Sequence, residues 1–306
     1  MNTNQKNHVL LSVNPKAGRS SSKLRAERLA AALEKEQLSV ELLTDLDLVA
    51  QKANALFHEG KLRALVGVGG DGTAAELTNR TEPGVPIALL PAGTANLLAK
   101  HLRYPFSPEK FARKIVAGKT ATMDVARCNG RILLAMVGCG FDAEVVAQVH
   151  AARMTNPKGA HIGYHSYLGP IWRSIRNYTY PPLQVEFLND DGSVRETVSG
   201  VHWAFFSNIP KYGWGLPITP KAQFDDGQFD ACLWRGGSLL SGLFLVCAAQ
   251  LGIHGCFSRC TMKTGTRFRV VSLDPTVPVP FQLDGDPGEN LPVEIEVLPN
   301  RLTVVV

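Results

Sequence analysis

The sequence predicts an α/β plus β fold: an N-terminal doubly wound parallel sheet and a C-terminal antiparallel β-sandwich. In the first hundred residues, apolar runs of strand length alternate with amphipathic helical patterns. After about Asp124, short apolar runs separated by Gly, Pro, Asn and Asp turns replace that alternation. Four successive strand–helix units predict a mostly parallel sheet. We therefore expect one domain over residues 1–124 and a β-rich domain over residues 125–306.

The first domain is predicted to repeat a strand, a turn and a helix. His8–Val13 is a β-rich apolar run that ends at turn residues, and Ser20–Glu36 has apolar residues at helical spacing. The later strands are predicted at Ser39–Leu43, Ala64–Val68 and Pro86–Leu90, and the later helices at Leu46–His58, Thr73–Arg80 and Ala95–Leu102.

The second domain is predicted to consist mainly of short strands. They lie at Ile132–Val137, Leu183–Leu188, His202–Ser207, Gln228–Trp234, Arg267–Val271 and Val293–Leu298. The turn Asn189–Gly192 predicts a hairpin, and helices are predicted at Gly138–Met154 and Tyr164–Arg176. The apolar stretch Leu239–Ile253 is shorter than the roughly twenty residues that span a bilayer, so it predicts a buried helix and no transmembrane segment.

Composition excludes several classes of protein. The chain of 306 residues carries 32 Lys and Arg against 27 Asp and Glu, a net charge of +5 that is spread along the sequence. Nucleic-acid binders usually cluster such charge, so we expect no nucleic-acid partner. The six cysteines contain no CxxC pair, and the apolar run near the N-terminus is short for a signal peptide. We therefore expect a cytoplasmic protein.

The glycine-rich stretch Gly67–Thr73 falls where a strand ends and a helix begins. Glycines let the backbone approach a bulky anion, and a helix N-terminus offers unpaired N–H groups, so this is the composition of a phosphate-binding loop. It is not a Walker A loop, because no Lys follows the glycines. Close packing of helix against sheet would also favour such a turn.

Two further loops follow predicted strands: Pro91–Asn96 and Asn14–Gly18. In a parallel sheet with right-handed crossovers, such loops emerge at one edge, where ligands bind near the switch in strand order. Thr44, at the end of the second predicted strand, would join them. The three loops therefore predict a single phosphate site at that edge.

These motifs resemble the diacylglycerol kinase catalytic domain family, which includes bacterial lipid kinases and the sphingosine and ceramide kinases. The resemblance is carried by NPKAG at residues 14–18, GGDGT at 69–73 and LPAGTAN at 90–96, with support from GCGFDAEV at 138–145, SNIPKYGWGLPITPKAQFDDGQFD at 207–230 and LDGD at 283–286. It covers nearly the whole chain, in the expected order. It implies a nucleotide-binding α/β domain and a β-sandwich lipid-binding domain, with the C-terminal end returning to the first domain.

The resemblance also implies ATP as the phosphate donor and assigns its contacts. The phosphate-binding residues it implies are Gly69, Gly70, Asp71, Gly72 and Thr73. The other nucleotide contacts it implies are Asn14, Thr44, Thr94 and Asn96.

Carboxylates are the candidates for the chemistry of phosphoryl transfer, which requires a group near the acceptor hydroxyl and Mg²⁺ at the phosphates. Asp71 is expected near the metal and phosphates, and Asp284 or Asp286 beside the acceptor. By resemblance to the third position of a DGE element, Asp286 is the expected proton acceptor. Asp284–Gly288 also has the composition of a simple β-turn.

Two positions depart from the family pattern. Leu97 stands where many bacterial relatives have an acidic residue after GTxN, and Asp286 replaces the commoner Glu with a side chain one methylene shorter. These changes leave the rate and the preferred acceptor open.

A Mg²⁺ site is implied at the Asp225–Gly227 loop. Matching the bacterial relatives gives Asp226 as the side-chain ligand and Gln223 and Gln228 as carbonyl donors, the hard oxygen ligands that Mg²⁺ prefers. A hairpin turn that needs no metal would use the same residues.

The expected acceptor is a lipid hydroxyl, as in diacylglycerol or a sphingoid base, reached at a membrane surface. From Val145 to Val185 there is no acidic residue, and cationic and aromatic residues are interleaved, a composition that suits peripheral contact with anionic lipid or, equally, a solvated helix face with its aromatic residues in the core. Alternatives are an NAD kinase-like kinase of a soluble acceptor and a nucleotide-binding regulator without turnover. The sequence does not identify the particular lipid or the oligomeric state.

Overall fold

The computed structural model describes residues 6–13, 21–93, 95–154 and 178–306. The chain forms two compact units. Unit 1 comprises Met1–Met123 and Asn300–Val306, and unit 2 comprises Asp124–Pro299.

Unit 1 is built on four parallel strands in the order β2-β1-β3-β4. The strands are β1 His8–Val13, β2 Ser39–Leu43, β3 Leu62–Gly69 and β4 Pro86–Pro91. The intervening helices are α1 Ser21–Lys35, α2 Leu46–His58 and α3 Asp71–Arg80, and α4 Leu97–His101 follows β4. Register pairs such as Val9 with Ala64 and Leu65 with Ile87 establish the parallel alignment. The predicted parallel α/β domain is confirmed.

Burial along these strands follows from their places in the sheet. Strands β3 and β4 are buried at nearly every position, as expected for inner parallel strands covered on both faces. The edge strand β2 is mostly exposed. Because the strand order reverses between β1 and β3, the loops after these two strands flank the switch point of the sheet.

The last residues of the chain complete unit 1. They form the end of β16 Val293–Val305, whose Thr303 pairs in parallel with Pro86 of β4. The hydroxyl of Tyr104 donates to the carbonyl of Val305, and the guanidinium of Arg301 donates to the carbonyls of Thr78 and Thr81. A strand from far along the sequence therefore lies next to β4 in the sheet.

One helix of unit 1 is absent from the sequence prediction. It is α5 Pro108–Ala117, which begins after the N-cap Ser107 and ends at Gly118 in the left-handed region (φ 61°). Its buried residues include Phe111 and Ile115, four positions apart on one face. Its capping residues and apolar spacing are visible in the sequence and could have predicted it.

Unit 2 contains two antiparallel sheets, which confirms the predicted antiparallel second domain. One sheet has the order β12-β11-β10-β7-β14-β15. Its strands are β7 Met136–Gly140, β10 Trp203–Ser207, β11 Phe229–Trp234, β12 Cys260–Gly265, β14 Pro280–Leu283 and β15 Asp286–Asn290. The other pairs β13 Arg267–Ser272 with β8 Leu183–Leu188 and with the first part of β16, and β8 also pairs with β9 Val194–Val201. A hairpin joins β5 Thr120–Cys128 to β6 Arg131–Leu133.

The inner strands β7, β10 and β11 of the six-stranded sheet are buried on both faces, whereas its edge strands β12 and β15 are largely not. Along β10, Ala204 and Phe206 belong to the core shared by the strands of unit 2, whereas Trp203 and Phe205 belong to a second core formed with helices α6 Phe141–Met154 and α7 Leu239–Gln250. This explains why β7, β10 and β11 are continuous apolar runs without a polar face.

Two predicted helices of unit 2 differ from the structure. The helix expected from Gly138 begins at Phe141, because Gly138 and Cys139 pair with β10 and extend strand β7 to Gly140. The helix α7 is present, but Leu240 is 77% exposed, so the prediction of a buried helix is wrong for its outward face. The helix expected at Tyr164–Arg176 lies outside the described residues.

Candidate functional site

The glycine loops after β3 and β4 lie in direct backbone contact. The Ala92 N–H donates to the carbonyl of Gly69 at 2.7 Å, and a Cβ on Gly93 would lie only 2.6 Å from the Cα of Gly70. Neither glycine at this contact can carry a side chain without moving backbone. The two loops therefore form one continuous surface at the carboxyl edge of the unit 1 sheet.

Asp71 joins the same two loops through its side chain. Its carboxylate accepts hydrogen bonds from the N–H groups of Leu97 and Leu98, each at 2.9 Å, and so caps the short helix α4. Burial raises the pKa of Asp71 above its ordinary value, while these backbone hydrogen bonds and the Lys100 charge act in the opposite direction. Asp71 thus organises the loop that follows β4, and Leu97 contributes its backbone while its side chain is buried.

Asn96 shapes the same loop from within. It adopts the left-handed conformation (φ 49°), and its side-chain amide exchanges two hydrogen bonds with the backbone of Gly93, at 3.0 and 2.7 Å. These contacts commit the Asn96 side chain to closing the turn at residues 93–96. Its expected nucleotide contact stays a prediction.

The start of α3 is open to an anion. Its N-cap is Gly70, so no side chain caps the helix, and the Thr73 side chain packs under Gly69, where a Cβ would lie 2.1 Å from its Oγ1. An uncapped helix N-terminus attracts negative charge. Thr73 therefore requires glycine at position 69, and Gly72 lies in the first turn of the helix.

Of the three remaining expected nucleotide contacts, the structure describes one. Thr44 is exposed at the carboxyl end of β2, on the edge where the glycine loops emerge. Asn14 and Thr94 lie outside the described residues. Arg25, which the sequence argument did not select, donates from α1 to the carbonyls of Pro91 and Phe106. It therefore fixes the strand end from which the second loop departs.

In unit 2, Asp284 anchors a tight hairpin turn between β14 and β15. Asp284 and Gly285 both have positive φ, 52° and 87°, and Leu283 pairs with Asp286 across the two-residue turn. The Asp284 carboxylate accepts from three backbone N–H groups, those of Leu134, Ala135 and Met136, at 2.7 to 2.9 Å. Asp284 therefore holds the turn against the chain that leads into β7.

Asp286 is placed differently from Asp284. Its side chain is 44% exposed, and its Oδ2 lies 3.9 Å from a guanidinium nitrogen of Arg131. The hydrogen bonds that hold the turn use the Asp284 carboxylate, so the Asp286 carboxylate stays partly exposed to solvent.

A buried network that the sequence argument missed supports this turn. The Gln282 amide donates to Asp142 at 3.1 Å and accepts from the Gly285 N–H at 2.7 Å, and the Tyr212 hydroxyl donates to Asp142 at 2.9 Å. Burial raises the pKa of Asp142 to about 6, while the hydrogen bonds from Tyr212 and Gln282 oppose that shift. The sequence signal was an acidic residue inside the motif GCGFDAEV.

The loop around Asp226 is held by a different buried carboxylate. Asp124, fully buried, accepts from the Gly227 N–H at 2.6 Å, and its own N–H donates to the carbonyl of Phe224 at 2.7 Å. Asp226 is exposed and accepts from the Gln228 N–H at 3.0 Å. Within the described ranges, no three His, Cys, Asp or Glu residues group as a metal site.

The two domain models that match this chain follow its two parts. The diacylglycerol kinase catalytic domain matches residues 8–128, and the YegS C-terminal NAD kinase β-sandwich-like domain matches residues 135–306. A protein named diacylglycerol kinase from Mycobacterium tuberculosis is 30% identical over 250 residues, which are 79% of this chain and 76% of that protein.

Solved structures share the fold. A diacylglycerol kinase from Bacillus anthracis superimposes with a TM-score of 0.66 at 18% identity, over 98% of this chain and 96% of that one. An NAD kinase from Archaeoglobus fulgidus, solved with ATP, gives a TM-score of 0.52 at 13% identity, over 98% and 93%. The two domain models and these solved structures agree on the fold. The chain belongs to the diacylglycerol kinase family and is an enzyme of the lipid kinase class.

Proposed function

We propose that this enzyme transfers the γ-phosphoryl group of ATP to a hydroxyl of diacylglycerol or a sphingoid-type lipid, with Mg²⁺. The observation that carries the proposal is the contact of Gly70 with Gly93, locked by Asp71, at the edge of the sheet. Two glycine loops in backbone contact beside an uncapped helix leave room for phosphate groups where a side chain would block them.

The proposed phosphate-binding residues are Gly69, Gly70, Asp71, Gly72, Thr73 and Asn96, joined by Asn14, Thr44 and Thr94. Backbone N–H groups supply most of the hydrogen bonds to phosphate oxygens in such a loop. Asp71 positions the loops, because both of its oxygens already accept from Leu97 and Leu98.

Asp286 is proposed to accept the proton of the lipid hydroxyl as it attacks the γ-phosphorus. A carboxylate in that role must be accessible, and Asp286 is half-exposed. Asp284 is a positioning residue, since its oxygens bind three backbone N–H groups. In this turn, Asp284 is therefore proposed to hold the backbone and Asp286 to accept the proton.

The Asp226 loop is proposed to hold a Mg²⁺ ion through oxygen donors. Asp226 offers a carboxylate and Gln223 and Gln228 offer backbone carbonyls, and burial followed by the charge of Asp226 raises the pKa of Asp230 to about 6. A bound cation would offset the negative charge of these carboxylates and stabilise the loop. The Mg²⁺ that accompanies ATP neutralises phosphate charge during transfer.

The experiment is transfer of label from γ-labelled ATP in mixed micelles that contain diacylglycerol or sphingosine, and separately in solution with NAD. We expect label in a lipid and none in NAD. Label in NAD alone would establish the soluble-acceptor alternative, for which the shared fold with an NAD kinase is the favouring observation. ATP binding without any transfer would establish the regulator alternative.

Variants of the turn test the assignment of the base. Asp286→Asn is expected to lower turnover at least about 100-fold with unchanged stability. Asp284→Asn is expected to lower the free energy of unfolding by about 1–3 kcal/mol, because a donor then faces backbone N–H groups. Glu289→Gln, an exposed change on the same strand, is the matched control. Near-normal turnover in Asp286→Asn would refute the base assignment.

A further inference from the structure

Helix α7 of unit 2 has mostly small residues on its buried side and large apolar residues on its outward side. The small residues Ser241, Gly242, Ala248 and Ala249 are buried together with one large residue, Leu245, while the large outward side chains are exposed. In the helix these exposed side chains are Leu239, Leu240, Leu243, Phe244 and Val246, and Leu251 and Ile253 directly after the helix are exposed as well. The usual surface helix is arranged the other way, with its large apolar residues inward and polar residues outward.

The inward side is fixed firmly to the sheet. Ser241 accepts a hydrogen bond from the indole of Trp234 at 2.9 Å, and a Cβ on Gly242 would lie 2.2 Å from the Trp203 ring. Phe244, which is only partly exposed, borders this inward side, and its ring packs edge-on against the ring of Phe257 with centroids 4.9 Å apart. The small residues bring the helix close to the sheet, so the outward leucines cannot turn inward and stay exposed.

The outward surface suits a bilayer better than a protein partner. From Leu239 to Ile253 there is no charged residue, and Gln250 is the one amide side chain in that stretch. A specific protein interface carries about one hydrogen bond per 100–200 Å² and a polar rim. The outward face of α7 offers few hydrogen-bonding groups, and contact with the hydrocarbon of a lipid bilayer requires none.

The charge around the helix favours anionic lipid. No acidic residue occurs from Ala231 to Leu273. Arg235 precedes the helix and donates to the neutral groups of Thr261 and Ser199, and Arg259 follows it with an exposed side chain. The Arg235 N–H donates to the carbonyl of Arg259 at 2.9 Å, so these two cationic residues lie side by side. An apolar helix face with cationic residues nearby in the fold has the composition of an interfacial anchor.

We propose that α7 inserts its outward face into the surface of a membrane that contains anionic lipid and thereby holds the enzyme at the bilayer where its acceptor resides. The proposal rests on the proposed lipid acceptor for its purpose. The vesicle binding that it predicts is measured without ATP and does not depend on turnover. At 12 residues the helix is about 18 Å long, so it lies in the interface and does not cross it.

The test compares the double variant Leu240→Gln/Leu243→Gln with Leu24→Gln, an exposed leucine of α1 that is 56% exposed. Leucine and glutamine have similar helix propensities and the positions are exposed, so the fold is expected to be kept. Binding is measured by co-sedimentation with vesicles of phosphatidylcholine and phosphatidylglycerol, and with phosphatidylcholine alone. The double variant is expected to bind mixed vesicles at least about tenfold more weakly, whereas Leu24→Gln binds like the wild type.

A second measurement places the contact on the helix. An environment-sensitive fluorophore on the exposed Cys247, in a Cys256→Ser background, is expected to shift to the blue when mixed vesicles are added. Absence of vesicle binding by the wild type, or equal binding by the double variant, overturns the proposal. A concentration-dependent dimer that the double variant abolishes, without vesicle binding, assigns the surface to a second copy instead.

Vesicle binding and turnover separate the two proposals. If the double variant loses vesicle binding but phosphorylates a dispersed short-chain acceptor at the wild-type rate, both stand. If no lipid is phosphorylated although α7 binds vesicles, the proposed function fails and the docking surface stands.

Discussion

At the scale of single residues, the carboxylates fall into two groups. Asp71, Asp124 and Asp284 accept hydrogen bonds from backbone N–H groups and hold loops in place. Asp286 is half-exposed beside a turn that another carboxylate holds. The sequence motifs GGDGT and DGD point to Asp71, Asp284 and Asp286 alike, whichever group each residue belongs to. The sequence does not reveal which carboxylate accepts backbone hydrogen bonds, because the donors lie 26 residues away for Asp71, 103 for Asp124 and 150 for Asp284.

Asp142 provides a test through pH. Its pKa of about 6 in the folded enzyme lies above the ordinary value of 3.8, so the folded state binds the proton more tightly. Stability contributed by this group therefore rises as pH falls through 6, and is lost as pH rises. Relative to Asp142→Asn, the wild type is expected to gain about 1.4 kcal/mol in the free energy of unfolding between about pH 7.5 and pH 5.

Urea unfolding of both proteins at the two pH values measures this difference. Asparagine retains an acceptor for the Tyr212 hydroxyl and cannot titrate, so it is the matched replacement. The same pH dependence in both proteins would contradict the assignment of the buried charge to Asp142.

At the scale of elements, most of the fold follows from local sequence patterns. The alternation of strand and helix periods predicts β1 through α3 because each element of unit 1 buries its own apolar pattern. Strand β7 and the outward face of α7 were mispredicted, because uninterrupted apolar runs do not reveal which face is covered. The partner strand decides the first case, and the small residues facing Trp203 and Trp234 decide the second.

The contact of the two glycine loops predicts a large effect of one methyl group. Gly93→Ala is expected to lower ATP affinity at least about tenfold, because its Cβ would lie 2.6 Å from backbone that cannot rotate away. Gly213→Ala, where no atom lies within 4 Å, is expected to bind ATP like the wild type. Isothermal titration with ATP measures both affinities, and equal values in the two variants would show that the loop contact is not needed.

At the scale of the whole molecule, unit 1 contains residues from both ends of the sequence. Removing residues 300–306 takes away the strand beside β4, the acceptor of the Tyr104 hydroxyl and the Arg301 hydrogen bonds. We expect this deletion to lower the melting temperature and to abolish ATP binding. Tyr104→Phe, which removes one hydrogen bond, is expected to cost about 1 kcal/mol and to retain binding.

Calorimetry of both variants tests this expectation. Unchanged melting and ATP binding after the deletion would show that unit 1 is stable without its last strand.

The dependence of the first unit on residues 300–306 also bears on how the polypeptide is made. During translation, residues 1–123 leave the ribosome long before the strand that finishes their sheet has been synthesised. Unit 1 is therefore completed after unit 2 although most of it is made earlier, and a product of premature termination lacks the strand that finishes its sheet.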